Sequence, residues 1–437
     1  MLPHMKLLRC AFASALTLAL ATPSLLTAAG NDWPRFLGPT GAAMVVDSKV
    51  PLTWSDTENL LWKVDMPGPG ASSPIVLGDK VFVTCWTGYG DKPGANDMGQ
   101  LVRHLVCLSR ADGKLLWDAL VPSAAAEDPF KGFITEHGYA TNTPVTDGER
   151  VYVFFGKSGA LAFDLQGRQL WQTSCGTSSG ERRWGSAASP IVHGNLLIVN
   201  ANEESQTIFG LDKATGKIVW KAEGNFGMAY GTPNILKREG MDDLVIAVPQ
   251  ELWGMNPDTG KLRWHAAHGL TENVSPCLVP GGDTVYVFGG FPATRSAAIK
   301  LGGKGDLGPG AILWDSSSSS YVPTPILKDG HLYVINDQGF ALCIDAKTGE
   351  EVYRERATMG SRGGGKPFYA SPVLIGDKLV CVSRRNGALV LAAKPTYELL
   401  STNEFASDTT HFNGSPAVSG DLLILRSNKA VYCVGVR

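Results

Sequence analysis

Short runs of β-branched and aromatic residues recur along the whole chain, cut apart by Gly, Asp, Asn and Pro. Residues 323–356 show the pattern clearly: "PTPILKDG", "HLYVINDQG", "FALCIDAKTG", "EEVYRER". Each run reads as a strand, and each Gly/Asp or Gly-containing junction reads as a turn. The first strand follows Ser/Thr-Pro, because proline is tolerated at a strand's first residue. The Ser/Thr-Pro prolines are Pro74, Pro144, Pro190, Pro233, Pro276, Pro325, Pro372 and Pro416, spaced 70, 46, 43, 43, 49, 47 and 44 apart. A unit of about 45 residues repeated in this way predicts a β-propeller of eight four-stranded blades. The first unit is lengthened by two insertions, "TGYGDKPGANDMGQ" and "SAAAEDPFKGFITEHG".

The turn into the fourth strand has its own signature. Asp212 to Gly216, Asn256 to Gly260 and Asp345 to Gly349 are each four residues apart. The Asx side chain can bond backbone amides in the turn, and the glycine can take positive φ. Trp117, Trp171, Trp220 and Trp264 each follow a glycine by four, those glycines being Gly113, Gly167, Gly216 and Gly260. Trp314 stands for the fifth unit, Tyr353 for the sixth and Leu400 for the seventh. This Gly/Trp pattern predicts a structural clasp between blades. The eighth unit, "SPAVSGDLLILRSNKAVYCVGVR", stops after three strands. "LLWK" at 60–63 resembles "LLWD" at 115–118, so Trp62 should sit on the missing strand and close the ring. Closure of this kind leaves no open edge. The expected division is a leader over 1–29, a segment carrying the closing strand over 30–69, and the propeller over 70–437.

Composition narrows the function. The chain has 437 residues, 44% of them apolar, and a formal net charge of -2. No basic run is present to hold nucleic acid. Lys6 and Arg9 precede the apolar run "CAFASALTLALATPSLL", with small residues at Thr27, Ala28 and Ala29. This reads as a signal peptide, so the mature chain is expected in the periplasm or outside the cell, as a monomer without a membrane span. Seven cysteines follow the leader, with no CxxC. Cys107, Cys343 and Cys433 share one strand-three column with Ala162, Gly210, Gly254, Ala298 and Val390, which predicts a small buried position. Cys85, Cys277 and Cys381 are expected in strands, and Cys175 is expected to be the most accessible.

These repeats and the stretches "DWPRFLGPTG", "LLWKVDMPGPGASSPIVLGDKVFVTC" and "HGYATNTPVTDGERVYVFFGKSGALAFDLQGRQLW" resemble the PQQ-binding-like (pyrroloquinoline-quinone-like) β-propeller repeat proteins, in particular an exported group common in planctomycetes. The resemblance covers nearly all of the mature chain. It implies two kinds of relative: quinoprotein alcohol and glucose dehydrogenases, and BamB, a scaffold lipoprotein of outer-membrane β-barrel assembly. The dehydrogenases imply PQQ with Ca²⁺, an acidic base and often a disulfide between adjacent cysteines. No adjacent cysteine pair occurs here, and no Asp/Glu/Asn cluster recurs at one rim position.

Other chemistries have less support. HExxH, a Walker-type loop and a nucleophile elbow are all absent. "FGKSGA" reads as a hairpin turn, His265 and His268 as surface polarity, and "SSSSS" at 316–320 as a flexible connector. Asp97, Glu203, Glu204 and Glu251 cannot be paired into a glycosidase site from sequence alone. The loops before each Ser/Thr-Pro lie nearest the axis and carry the candidate ligand-binding residues: His137, Tyr139, Arg182, Arg183, Trp184, Tyr230, Tyr321, Arg362, Lys366, Tyr369 and His411, with Glu272, Asn273 and Phe412 beside them. Aromatics with one polar end suit a wet binding funnel, and arginines suit carboxylates. The expectation is a non-catalytic binding or scaffolding propeller for a protein, peptide or glycan, with no cofactor and no metal. The alternative is a PQQ/Ca²⁺-dependent oxidoreductase acting on alcohols or sugars.

Overall fold

A computed structural model describes residues 32–238, 240–357, 365–385 and 387–436. The expected leader and Arg362 lie outside them. Eight antiparallel sheets form an eight-bladed propeller. Blade 1 is Ile75–Leu77, Lys80–Thr87, Val102–Ser109 and Leu115–Pro122, in that order from the axis outward. Blades 2 to 7 repeat this order. In blade 8, Leu60–Asp65 pairs with Ala430–Val434 and supplies the fourth strand from the other end of the chain.

Burial follows the layering. The second strand of blade 3, Leu196–Ala201, is buried throughout, because both its faces meet neighbouring blades. In the outermost strand, Ile218–Glu223, only Trp220 is buried. The reason lies in a bulge present in all eight blades between strands three and four. At that bulge Trp62, Trp117, Trp171, Trp220, Trp264 and Trp314 pair across to Cys433, Cys107, Ala162, Gly210, Gly254 and Ala298. The strand-three column is small because the neighbouring indole lies across it: a Cβ at Gly210 or Gly254 would collide with Trp220 or Trp264. Tyr353 occupies the same place opposite Cys343. In blade 7 the residue opposite Val390 is Ser401, not Leu400, since the bulge shifts the register by one.

Each indole then reaches the next blade. Trp62, Trp117, Trp171, Trp220 and Trp314 donate from Nε1 to the carbonyls of Arg110, Leu165, Lys213, Pro257 and Ala346 at 2.9–3.1 Å. Gly113, Gly167, Gly216, Gly260 and Gly349 lie beneath these rings with φ between 67° and 86°. Any side chain there would meet the indole and strain the backbone. Trp264 is the exception: its Nε1 donates at 3.0 Å to Asp243 of its own blade.

Several expectations need correction. Cys175 is fully buried among Tyr152, Phe154, Val199 and Ala201, and burial pushes its thiol up to about 12. All seven described cysteines are buried free thiols, with Cys277 just ahead of its strand. Ser318, Ser319 and Ser320 are buried; Ser318 donates to Glu351 and accepts from Ser296, so this run is a packed joint rather than a flexible connector. His268 is buried and accepts from the Leu270 amide, so it is not surface polarity.

Candidate functional site

The Ser/Thr before each proline does more than start a strand. The amide of Ser73 donates to Thr143 Oγ1, Thr143 to Ser189, Ser189 to Thr232, Thr324 to Ser371, Ser371 to Ser415 and Ser415 back to Ser73, each at 2.9 Å. The Cys277 amide donates to Thr324 at the same distance. These bonds form a hydroxyl collar around the axis, and with Ser275 the eight collar residues all line one axial cavity of about 150 Å³.

One end of this cavity is covered by the N-terminal segment. Trp33 bridges Val76, Pro34 O accepts from Thr146, and Arg35 donates to Asn234. Val76 and Thr146 are at the far ends of innermost strands, so the segment crosses the face opposite the Ser/Thr-Pro loops. Phe36 lines the cavity from there. The segment then pairs Met44–Val45 with blade 7 and climbs to the closing strand.

The open end is aromatic. Phe133, Trp184, Tyr230, Tyr321 and Tyr369 line it, together with His137, Thr141, Asn273 and Asn413. A short helix, Ile134–His137, from the second insertion fixes part of the wall. His137 Nε2–H donates to Trp184 O at 2.8 Å, and its Nδ1 accepts from Thr141 at 2.7 Å. Burial pulls this imidazole down to about 4, so it is neutral and positions Trp184. Phe133 packs 4.8 Å from Trp184, and Tyr230 stacks at 6.2 Å.

Cations ride on these rings from the rim. Arg182 lies over Trp184 and Phe291, Lys366 over Tyr321 at 3.8 Å, and Arg384 over Tyr369 at 4.2 Å. Each has a carboxylate partner: Glu272 at 2.7 Å, Asp337 at 3.1 Å and Glu136 respectively. The rim is charged but compensated, whereas among the described residues no Asp, Glu, Lys or Arg lines the cavity itself.

Tyr139, His411, Phe412 and Arg183 sit elsewhere. Tyr139 bonds the Asp128 carbonyl in a neighbouring smaller cavity. His411 sits between Arg384 and Arg385, and burial and these guanidiniums depress it to about 4. Phe412 packs in the core against Phe405 and Tyr432. Arg183 is exposed, in a left-handed turn at φ 51°. Sequence reasoning missed Phe36, Phe133, Asn413 and the collar. The repeated Ser/Thr before proline was the signal for the collar.

The smaller cavity is lined by charged residues. Lys157 pairs with Asp128 at 3.2 Å, and Arg103 with Glu127 at 2.6 Å. Glu203 accepts from Tyr230 Oη at 2.8 Å and from the Gly180 amide. Burial raises Glu203 to about 7. Burial first and then Glu203 raise Glu204 to about 8, and its Oε2 has no partner. Tyr230 therefore links the two cavities.

PQQ and Ca²⁺ can be tested against this donor set. Calcium takes six to eight oxygens, usually with carboxylates among them. A tricarboxylate quinone needs cationic partners. The axial lining offers neither, and no group of three or more His, Cys, Asp or Glu among the described residues could hold a metal ion. The described residues do not fit that pair.

Known proteins place the chain more widely. It is 22% identical over 362 residues to tetrathionate hydrolase of Acidithiobacillus ferrooxidans and 26% identical over 238 residues to outer membrane protein assembly factor BamB of Alkalilimnicola ehrlichii. These alignments cover 73% and 53% of this chain, but only 64% and 51% of the two relatives. The fold is shared with BamB from Moraxella catarrhalis (TM-score 0.59, 14% identity, 86% and 97% of the two chains covered). It is also shared with a europium-containing methanol dehydrogenase (TM-score 0.63, 10% identity, 93% and 98% covered). Residues 55–226 and 104–355 match the family described as outer membrane protein assembly factor BamB, and with the blade architecture this shows that the chain belongs to that family of PQQ-like β-propellers.

Proposed function

We propose that this is a non-catalytic binding propeller of the cell envelope, exported across the inner membrane, which receives its ligand or partner end-on in the axial cavity. The observation that supports this most is the cavity's lining: aromatic rings and hydroxyls, no Asp, Glu, Lys or Arg among the described residues, and one end covered by Phe36. Such a lining suits binding, and its one imidazole, His137, is held by Trp184 and Thr141. The match to an assembly factor supports a role in the envelope, where protein, peptide and glycan are the partner classes.

Calorimetric titration of the mature protein with PQQ and CaCl₂ tests the reading against the oxidoreductase alternative. The expected result is no stoichiometric heat and no dye reduction with alcohols or sugars. Stoichiometric binding with dye reduction would overturn it. Capture from envelope extract supplies the positive arm: wild type retains a saturable partner that Trp184→Ala fails to retain.

A further inference from the structure

We propose that the axial cavity is a receptor for the end of a neutral saccharide, an inference that rests on the binding-propeller reading above. The collar is the starting point. In Ser73, Thr143, Ser189, Ser371 and Ser415 the hydroxyl oxygen already accepts an amide from the neighbouring blade. Among the described residues, none of these five donates its proton to a protein acceptor. A hydroxyl has one proton to give, so the collar presents a ring of donors to the cavity. Its occupant must carry acceptor oxygens on several sides.

The wall adds a second requirement. Trp184, Tyr230 and Tyr321 line the cavity above the collar. The position of Trp184 is set by His137 and Phe133, and Tyr321 is tied to Asn273 Nδ2 at 3.0 Å. Rings held in this way offer rigid apolar faces at little cost in conformational entropy. A saccharide meets both demands, since it has C–H faces to stack and hydroxyl and ring oxygens to accept. A carboxylated ligand would enter a described lining without a countercharge, because the three cations that ride on its rings, Arg182, Lys366 and Arg384, are already paired with Glu272, Asp337 and Glu136.

The mature protein is titrated with neutral tetrasaccharides of glucose, mannose, galactose and xylose, with oligogalacturonate and with uncharged tripeptides, following calorimetric heat and tryptophan fluorescence. At least one neutral sugar is expected to bind with Kd below about 1 mM. Trp184→Ala and Tyr321→Leu should each weaken it about tenfold or more, with melting temperatures near wild type. Saturation-transfer NMR on the unmodified protein checks the same contact without a variant: sugar C–H protons of one ring face should receive magnetisation from aromatic protons. If no neutral sugar binds while a tripeptide or an envelope protein does so through Trp184, the saccharide inference falls and the axial-binding reading stands. A preference for oligogalacturonate likewise overturns neutrality alone. If PQQ binds stoichiometrically with Ca²⁺, both fall. A sugar that binds with Trp184→Ala unaffected places the site elsewhere and overturns the inference.

Discussion

Two joints of the ring invite comparison. The break in the chain lies inside blade 8, which is assembled from both ends of the described chain, and at the joint between blades 8 and 1 the chain runs on from Leu60–Asp65 through residues 66–74 into Ile75–Leu77. Both repeated devices are complete there: Trp62 donates to Arg110 over Gly113, and the Ser415 amide donates to Ser73. Between blades 4 and 5 the chain is continuous too, yet the indole of Trp264 turns back to Asp243. Ser275 bonds Asn273 instead of completing the collar. Local substitutes appear at that joint: Met228–Ala229 pairs with Asn273–Val274, and Gly305–Asp306 adds a fifth strand to blade 4. The clasp is kept at joints 1–2, 2–3, 3–4, 5–6 and 8–1 alike, so its loss at 4–5 is a local exchange of side-chain devices for added strand pairing.

The comparison breaks most sharply at the closing strand. Deleting residues 32–66 removes the fourth strand of blade 8, and the product is expected to lose its cooperative melt. A single Trp62→Ala should cost about 3–5 kcal/mol in denaturant titration. A double-mutant cycle with Gly113→Ala should show coupling of about 1–3 kcal/mol, because removing the indole relieves the clash but not the strain at φ 72°. Trp264→Ala should cost a similar amount, since it too is buried, but its hydrogen-bond coupling should run to Asp243 and its coupling to blade 5 only through packing and the Gly305 pairing. Coupling across the blade 4–5 joint equal to that at 8–1 would erase the distinction.

Much of the ring was legible in the sequence, because it is written eight times. Pro spacing gave the blade count, and Gly216 with Trp220 gave the clasp. The cavity was less legible. Its aromatics were found only because they interrupt the repeat, and the same criterion also picked out Tyr139, His411 and Phe412, which turn away from the axis. The segment around Phe36 belongs to no repeat, so nothing in the blade pattern placed it beneath the axis. Glu203 and Glu204 stood out in the sequence only as carboxylates that could not be paired. Only the three-dimensional contact with Tyr230 and Asp128 shows why burial governs them.

That carboxyl pair sets a pH dependence. Both glutamates are raised in the folded state, so their stabilisation is complete below about 4.5 and is lost as pH climbs through about 7 to 8. His137, His268 and His411 are depressed to about 4, so theirs is complete above 6.5 and is lost as pH falls toward 4. Between 4.5 and 6.5 three histidines oppose two glutamates, and above 6.5 the glutamates act alone. Maximal stability is therefore expected near pH 6.5. Glu204→Gln should recover about 2 kcal/mol of the loss between pH 6.5 and 8. An unchanged slope in thermal melts across that range would remove Glu204 from the account. Tyr230, whose amide bonds Val274 and whose hydroxyl bonds Glu203, connects this titration to the blade 4–5 joint. Tyr230→Phe should accordingly alter the slope.

The smallest effect separates the collar's two halves. Thr324→Val keeps the shape of the side chain but removes the acceptor of the Cys277 amide, leaving a buried N–H unsatisfied. That should cost about 1–2 kcal/mol. Ser275→Ala should cost well under that, because its hydroxyl only donates to Asn273, whose amide stays bonded to Tyr321. Tyr321 forms one wall of the axial cavity, so the two variants should also differ in binding. Thr324→Val should spare the aromatic wall, whereas Ser275→Ala frees the Asn273 carbonyl to compete for the ligand. Melting and titration of the two proteins side by side would show stability following the collar and affinity following the interrupted joint. If both properties moved together in both variants, the collar and the joint would be one device, and the distinction between the regular and irregular halves of the ring would carry no functional meaning.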